Sequence, residues 1–80
     1  MSKFEKLLVR LLTYPVDFTY IELRTMLKYI GYKELEGTGS RVCFKKDRHK
    51  IKLHKPHPES ILKRYQIKLI IDELKKEGLL

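Results

Sequence analysis

The sequence predicts an α+β protein, a three-stranded antiparallel sheet with helices on one of its faces. Two observations predict it. Apolar residues recur at intervals of three and four at both ends of the chain, whereas in the middle they alternate with polar ones. The alternating part also carries the charge: residues 41–64 hold nine of the 18 lysines and arginines and two of the ten acids, so +7 of the net +8 lies in under a third of the 80 residues.

Each element follows from local chemistry. Ser2 and Glu5 form a capping-box pattern, and Phe4, Leu7, Leu8, Leu11 and Leu12 make an apolar stripe ahead of Pro15, which predicts a helix over 3–13. Thr19 and Glu22 repeat the pattern, with Phe18 placed to staple against Leu23. The stripe continues through Met26, Leu27 and Ile30, and Gly31 closes the second helix. Residues 32–36 form a short extended run, and Gly37-Thr38-Gly39-Ser40 is turn chemistry. A strand over 41–46 places Val42 and Phe44 inward and Arg41, Cys43 and Lys45 outward. After a turn at 47–49, a strand over 50–55 turns Ile51 and Leu53 inward and Lys50, Lys52 and His54 outward. Pro56-His57-Pro58 ends that strand, since neither proline can donate to a ladder. Ile67, Ile70, Ile71 and Leu74 make the stripe of a last helix over 66–77, ahead of Gly78.

No repeat or linker divides the chain, so residues 1–80 are expected to form one domain, with 1–17 as an extra N-terminal helix and connection and 18–80 as the core. The last five elements, α-β-β-β-α, have the order of the double-stranded RNA-binding domain, whose helices cover one sheet face and leave the other open. A lone cysteine, Cys43, makes no internal disulfide, and no Cys/His spacing suggests zinc. No apolar run is long enough to span a membrane and the first residues lack the block of a signal peptide, so a cytoplasmic location and no membrane partner are expected.

A basic run by itself is as readily a solubilising surface as a polyanion-binding one. Its histidines shift the balance. Metal-independent RNA cleavage needs a base for the 2′-hydroxyl proton, an acid for the leaving 5′-oxygen and cations for the phosphorane. Histidine suits the first two roles because both protonation states exist near neutrality. His54 closes the outward row of the last strand and His57 follows on a stiff backbone, with Arg41 as the cation. The stretch offers only Asp47 and Glu59 as carboxylates, so neither a two-metal mechanism nor any other cofactor is expected. Bland roles stand beside these: His54 as a strand-end polar residue, His57 as a turn histidine packed on proline, Cys43 as packing, and Tyr20, Tyr29, Tyr32 and Tyr65 at the core rim. His49 reads as turn chemistry or a phosphate contact.

At Gly39-Ser40-Arg41-Val42-Cys43-Phe44 and Pro56-His57-Pro58, followed by Leu62, Lys63-Arg64 and the stripe Ile67, Ile70 and Ile71, the sequence resembles the HicA toxin family over about 18–80. The resemblance implies a bacterial or archaeal toxin that cleaves mRNA and is held inactive by a HicB-like antitoxin covering the active face. Two departures stand out. The family's catalytic histidine falls on Arg41, which cannot act as a base at neutral pH, and Tyr65-Gln66 stands where the family places a Gly-Thr helix cap.

Three functions follow as expectations. The first is an endoribonuclease in which His57 and His54 exchange protons, Arg41 stabilises the phosphorane, and Lys45, Lys50, Lys52, Lys55, Lys63 and Arg64 hold the RNA backbone. The second is a non-catalytic RNA-binding module of the double-stranded RNA-binding type. The third is a basic face that docks only an acidic protein such as an antitoxin.

Overall fold

Hydrogen-bonded caps start the first two helices where the sequence places them. The computed structural model describes residues 2–56 and 60–80. The Ser2 side chain accepts the Glu5 N–H ahead of α1 (Lys3–Leu12). Thr19 and Glu22 exchange both bonds of a capping box ahead of α2 (Tyr20–Tyr29). There follow β1 (Lys33–Glu36), β2 (Arg41–Lys46), β3 (His49–His54) and α3 (Arg64–Lys76), giving the order α-α-β-β-β-α.

The sheet has the order β1-β2-β3, antiparallel throughout. Period-two alternation sends Val42, Phe44, Ile51 and Leu53 to the helix side, where all four are buried with Phe18, Leu23, Met26, Leu27, Ile67, Ile70 and Leu74. The α1 helix joins that core: Leu11 is completely buried, and Phe4, Leu7 and Leu8 pack against the cluster. Arg10 pins the helix from outside, reaching Glu22 at 2.6 Å and Asp17 at 2.7 Å.

Among the element boundaries that differ from the sequence expectation, the starts of β3 and α3 shift for a local reason. β3 begins at His49 because the hairpin turns on Asp47-Arg48 alone, with Asp47 in the left-handed region at φ 54. Aspartate tolerates that conformation better than most side chains. The last helix begins two residues before 66, at Arg64, because Gln66 caps it. Its Oε1 accepts the Lys63 N–H at 3.0 Å, which replaces the missing Gly-Thr cap. The approach to α3 is fixed by a short bridge: the Tyr20 N–H donates to the Ser60 carbonyl at 2.7 Å and the Leu62 N–H to the Phe18 carbonyl at 2.8 Å.

Candidate nucleic-acid interface

The face away from the helices is built in three rows by the strand register. Lys33, Lys45 and Lys50 form one row, Leu35, Cys43 and Lys52 the next, and Arg41 and His54 the last. All are exposed except the half-buried Cys43. Among the described residues, none of these cations lies in a salt bridge with a carboxylate. The acids of β1 point the other way, since Glu34 and Glu36 pair in register with Phe44 and Val42. Glu34 accepts a hydrogen bond from the Tyr20 hydroxyl and faces Arg24 at 3.8 Å. Burial first, and Glu34 second, push the Tyr20 hydroxyl well above its ordinary range.

Arg41 and His54 are directly opposite one another across β2 and β3. Facing side chains on one side of an antiparallel pair start about 5 Å apart, so both can engage a single phosphate. Ser40 Oγ lies 3.4 Å from His54 Nδ1, at the long end of a hydrogen bond. Behind them, the buried Gln66 donates from Nε2 to the His54 carbonyl at 2.8 Å, so the end of β3 is tied to the first turn of α3. A groove of about 510 Å³ runs beside this edge, and Leu35, Gly37, Arg41, Cys43, Lys52 and His54 are among its lining residues.

The structure therefore brings together Arg41, His54, Lys45, Lys50 and Lys52 from the sequence reading, and it separates the others. Lys55 lies off this face: its Nζ is 2.5 Å from Glu36 Oε1 and 5.8 Å from the Tyr20 ring centroid. Lys63 is the N-cap of α3 and Arg64 its first residue, with the Arg64 guanidinium 4.9 Å from the Tyr14 ring centroid. Both sit at the α3 end that Gln66 joins to His54. His57 lies outside the described residues.

His49 is a strand residue and not part of the turn. As the first residue of β3 it shares the inward parity of Ile51 and Leu53, and its side chain is only 12 % exposed. Its ring nitrogens lie 2.6 Å from the Tyr32 hydroxyl and 2.8 Å from Glu73 Oε2. Burial, with Glu77 and Glu73 nearby, raises the Tyr32 hydroxyl above its ordinary value. Sequence reasoning also passed over Lys33 and Leu35 on the open face and the Gln66 strut. The alternation of 33–36 carried the signal for the first two, but it sets Lys33 and Leu35 on one side against Glu34 and Glu36 on the other, and four residues with a single leucine leave the inward side ambiguous.

The family model of the HicA toxin of bacterial toxin-antitoxin systems matches residues 21–79, which spans α2, the whole sheet and α3. The chain belongs to the HicA toxin family. It is thereby a toxin of the toxin-antitoxin class, with α1 lying outside the matched region. Comparisons with curated proteins and with solved structures gave no match. Within this HicA-family chain, the open sheet face is an exposed surface with five cations free of carboxylate salt bridges among the described residues: Lys33, Arg41, Lys45, Lys50 and Lys52. Among the described residues, no helix is long and apolar enough to cross a membrane.

Proposed function

We propose that this HicA-family toxin is a metal-independent endoribonuclease that acts on mRNA and is neutralised by a HicB-like antitoxin docking on the same basic face. The observation that carries the reading is the placement of His54 directly opposite Arg41 at the edge of a cationic sheet face. In the proposed reaction a histidine takes the 2′-hydroxyl proton, the 2′-oxygen attacks phosphorus, and the P–O5′ bond breaks as the other histidine protonates the leaving oxygen. The products are a 2′,3′-cyclic phosphate and a 5′-hydroxyl. His54 and His57 exchange the protons, the His57 role resting on sequence alone, and Arg41 stabilises the charge on the phosphorane. Lys45, Lys50 and Lys52 hold the RNA backbone on the face. Lys63 and Arg64 extend the track past the His54 edge, while Lys55 contributes less because Glu36 already occupies it. The whole of 1–80 acts as one domain, with 1–17 as an accessory helix on an 18–80 core.

Incubating purified protein with mRNA in excess EDTA tests the proposal. Cleavage lost in His54→Ala, together with growth arrest lost on expression of that variant, is the expected result. Intact RNA with the unaltered protein, and no arrest, would sink it. A second reading, a non-catalytic RNA-binding module, is favoured by one observation: Arg41 occupies the family's histidine position. It predicts salt-dependent binding, uncut RNA and no effect of His54→Ala on arrest.

A further inference from the structure

The middle row of the open face is chemically unlike the rows beside it. Leu35 and Cys43 are neighbours across β1 and β2, and Lys52 follows across β3. Leu35 is 48 % exposed, although nothing about an edge strand requires an apolar side chain on its solvent face. The groove beside it, about 510 Å³, is of a size that accommodates a small organic ligand. Cations border it on both sides: Lys45 and Lys50 in the next row one way, Arg41 in the next row the other. Among the described residues its one lining carboxylate, Glu36, is taken up by Lys55.

A phosphate gains nothing from a leucine, whereas the flat face of a base does, because both surfaces leave water together. A base inside a duplex already has both faces covered and must be unstacked before it can reach such a floor. We infer that Leu35 and Cys43 form the floor of a subsite for an unpaired nucleobase, which makes single-stranded RNA the ligand of this face. The inference rests on the RNA reading above and adds to it which form of RNA is bound. The flanking cations hold the phosphates on either side of the seated base, and the phosphate next to it falls beside Arg41 and His54. Hydrophobic contact with a π face is sequence-tolerant, so the subsite selects unpaired over paired nucleotides more strongly than one base over another.

Fluorescence anisotropy with uncleavable 2′-O-methyl RNA tests this. Three ligands are compared at low salt: a single strand, the same strand with abasic sites through its centre, and its duplex. The unaltered protein is expected to prefer the intact single strand over both others by about fivefold, the order of magnitude expected from taking part of one leucine side chain out of water. Leu35→Ser, a substitution on the exposed side of an edge strand, removes that preference and keeps the abasic affinity, and Leu35→Met restores it. Equal affinity of the unaltered protein for the intact and abasic strands overturns the base subsite while leaving the RNA reading standing, and so does a preference that survives Leu35→Ser. Binding to none of the three ligands overturns the RNA reading and the subsite together.

Discussion

His49 Nε2 and Glu73 Oε2 meet at 2.8 Å and join the first residue of β3 to the last turn of α3. The pattern is satisfied when Nε2–H donates to Glu73 and Nδ1 accepts from the Tyr32 hydroxyl, so one imidazole serves the buried Tyr32 and the half-buried Glu73. His49→Ala removes the hydrogen-bond partner of the Tyr32 hydroxyl and leaves Glu73 with Lys76 alone. The expected cost is about 2 kcal/mol, which lowers Tm by roughly 10 °C in a domain of this size. RNA affinity of the folded variant stays unchanged. Thermal melting and anisotropy check the pair of outcomes, and a weakened RNA affinity would return His49 to the interface.

The same contact makes stability depend on pH in one direction. The hydrogen bond from His49 is the main reason the Glu73 carboxyl sits below its ordinary value of 4.5; Lys76 assists and partial burial opposes. A carboxyl depressed in the folded state stabilises fully above that ordinary value, and the contribution is lost as pH falls through the folded value. Glu73→Gln keeps an acceptor but does not titrate. Its Tm deficit relative to the unaltered protein is expected to shrink as the pH is lowered from about 6 to about 3. A deficit that is flat or growing over that range would contradict the assignment.

Gln66 serves two backbone groups at once, the His54 carbonyl through Nε2 and the Lys63 N–H through Oε1. Gln66→Leu preserves most of the volume and leaves both groups unpaired, at an expected cost of about 1–3 kcal/mol. Gln66→Glu keeps the acceptor but turns a carboxylate oxygen toward the His54 carbonyl, and it is expected to melt no higher than the leucine variant. Thermal denaturation of the two variants decides it.

Lys52 and Lys55 are three residues apart and differ in what they face. Lys52 lies on the open face, and Lys55 is held by Glu36. Lys52→Ala is expected to lower the slope of log affinity against log salt for single-stranded RNA by about 0.7, the value of one phosphate contact. Lys55→Ala changes it by less than half as much. Titrations at four salt concentrations separate the two, and equal slopes would place Lys55 in the interface.

The first helix is structural. Leu11 is completely buried within the core that α2, α3 and the sheet share. Leu11→Ala is expected to cost about 3 kcal/mol, even though this residue precedes the region that matches the family. Urea denaturation measures it. A loss below about 1 kcal/mol would mean that the core closes without this helix.

Much of the architecture could be read directly. The caps at Ser2 and Thr19 announce their helices because a side-chain oxygen three residues before an N–H is a local relation that no distant contact has to create. Val42 and Phe44 against Arg41, Cys43 and Lys45 give the two faces of β2 by period two alone, and β3 follows in the same way from Ile51 and Leu53. The open cationic face, with Arg41 and His54 on it, is therefore legible in the sequence.

The assignments that changed are those that depend on partners far along the chain. Whether His49 is a turn residue or a strut depends on Glu73, 24 residues later, and on Tyr32, 17 residues earlier. Alternation sets Lys55 on the side opposite Lys52, but its pairing with Glu36 needs the sheet, and Gln66 could not be seen to hold His54 without the docking of α3. Local spacing and alternation thus determined the elements, their faces and the basic surface. Only the tertiary structure decided which polar side chains face the open groove and which hold the protein together, because a hydrogen bond or ion pair joins groups by distance in space, and the order of residues does not record that distance.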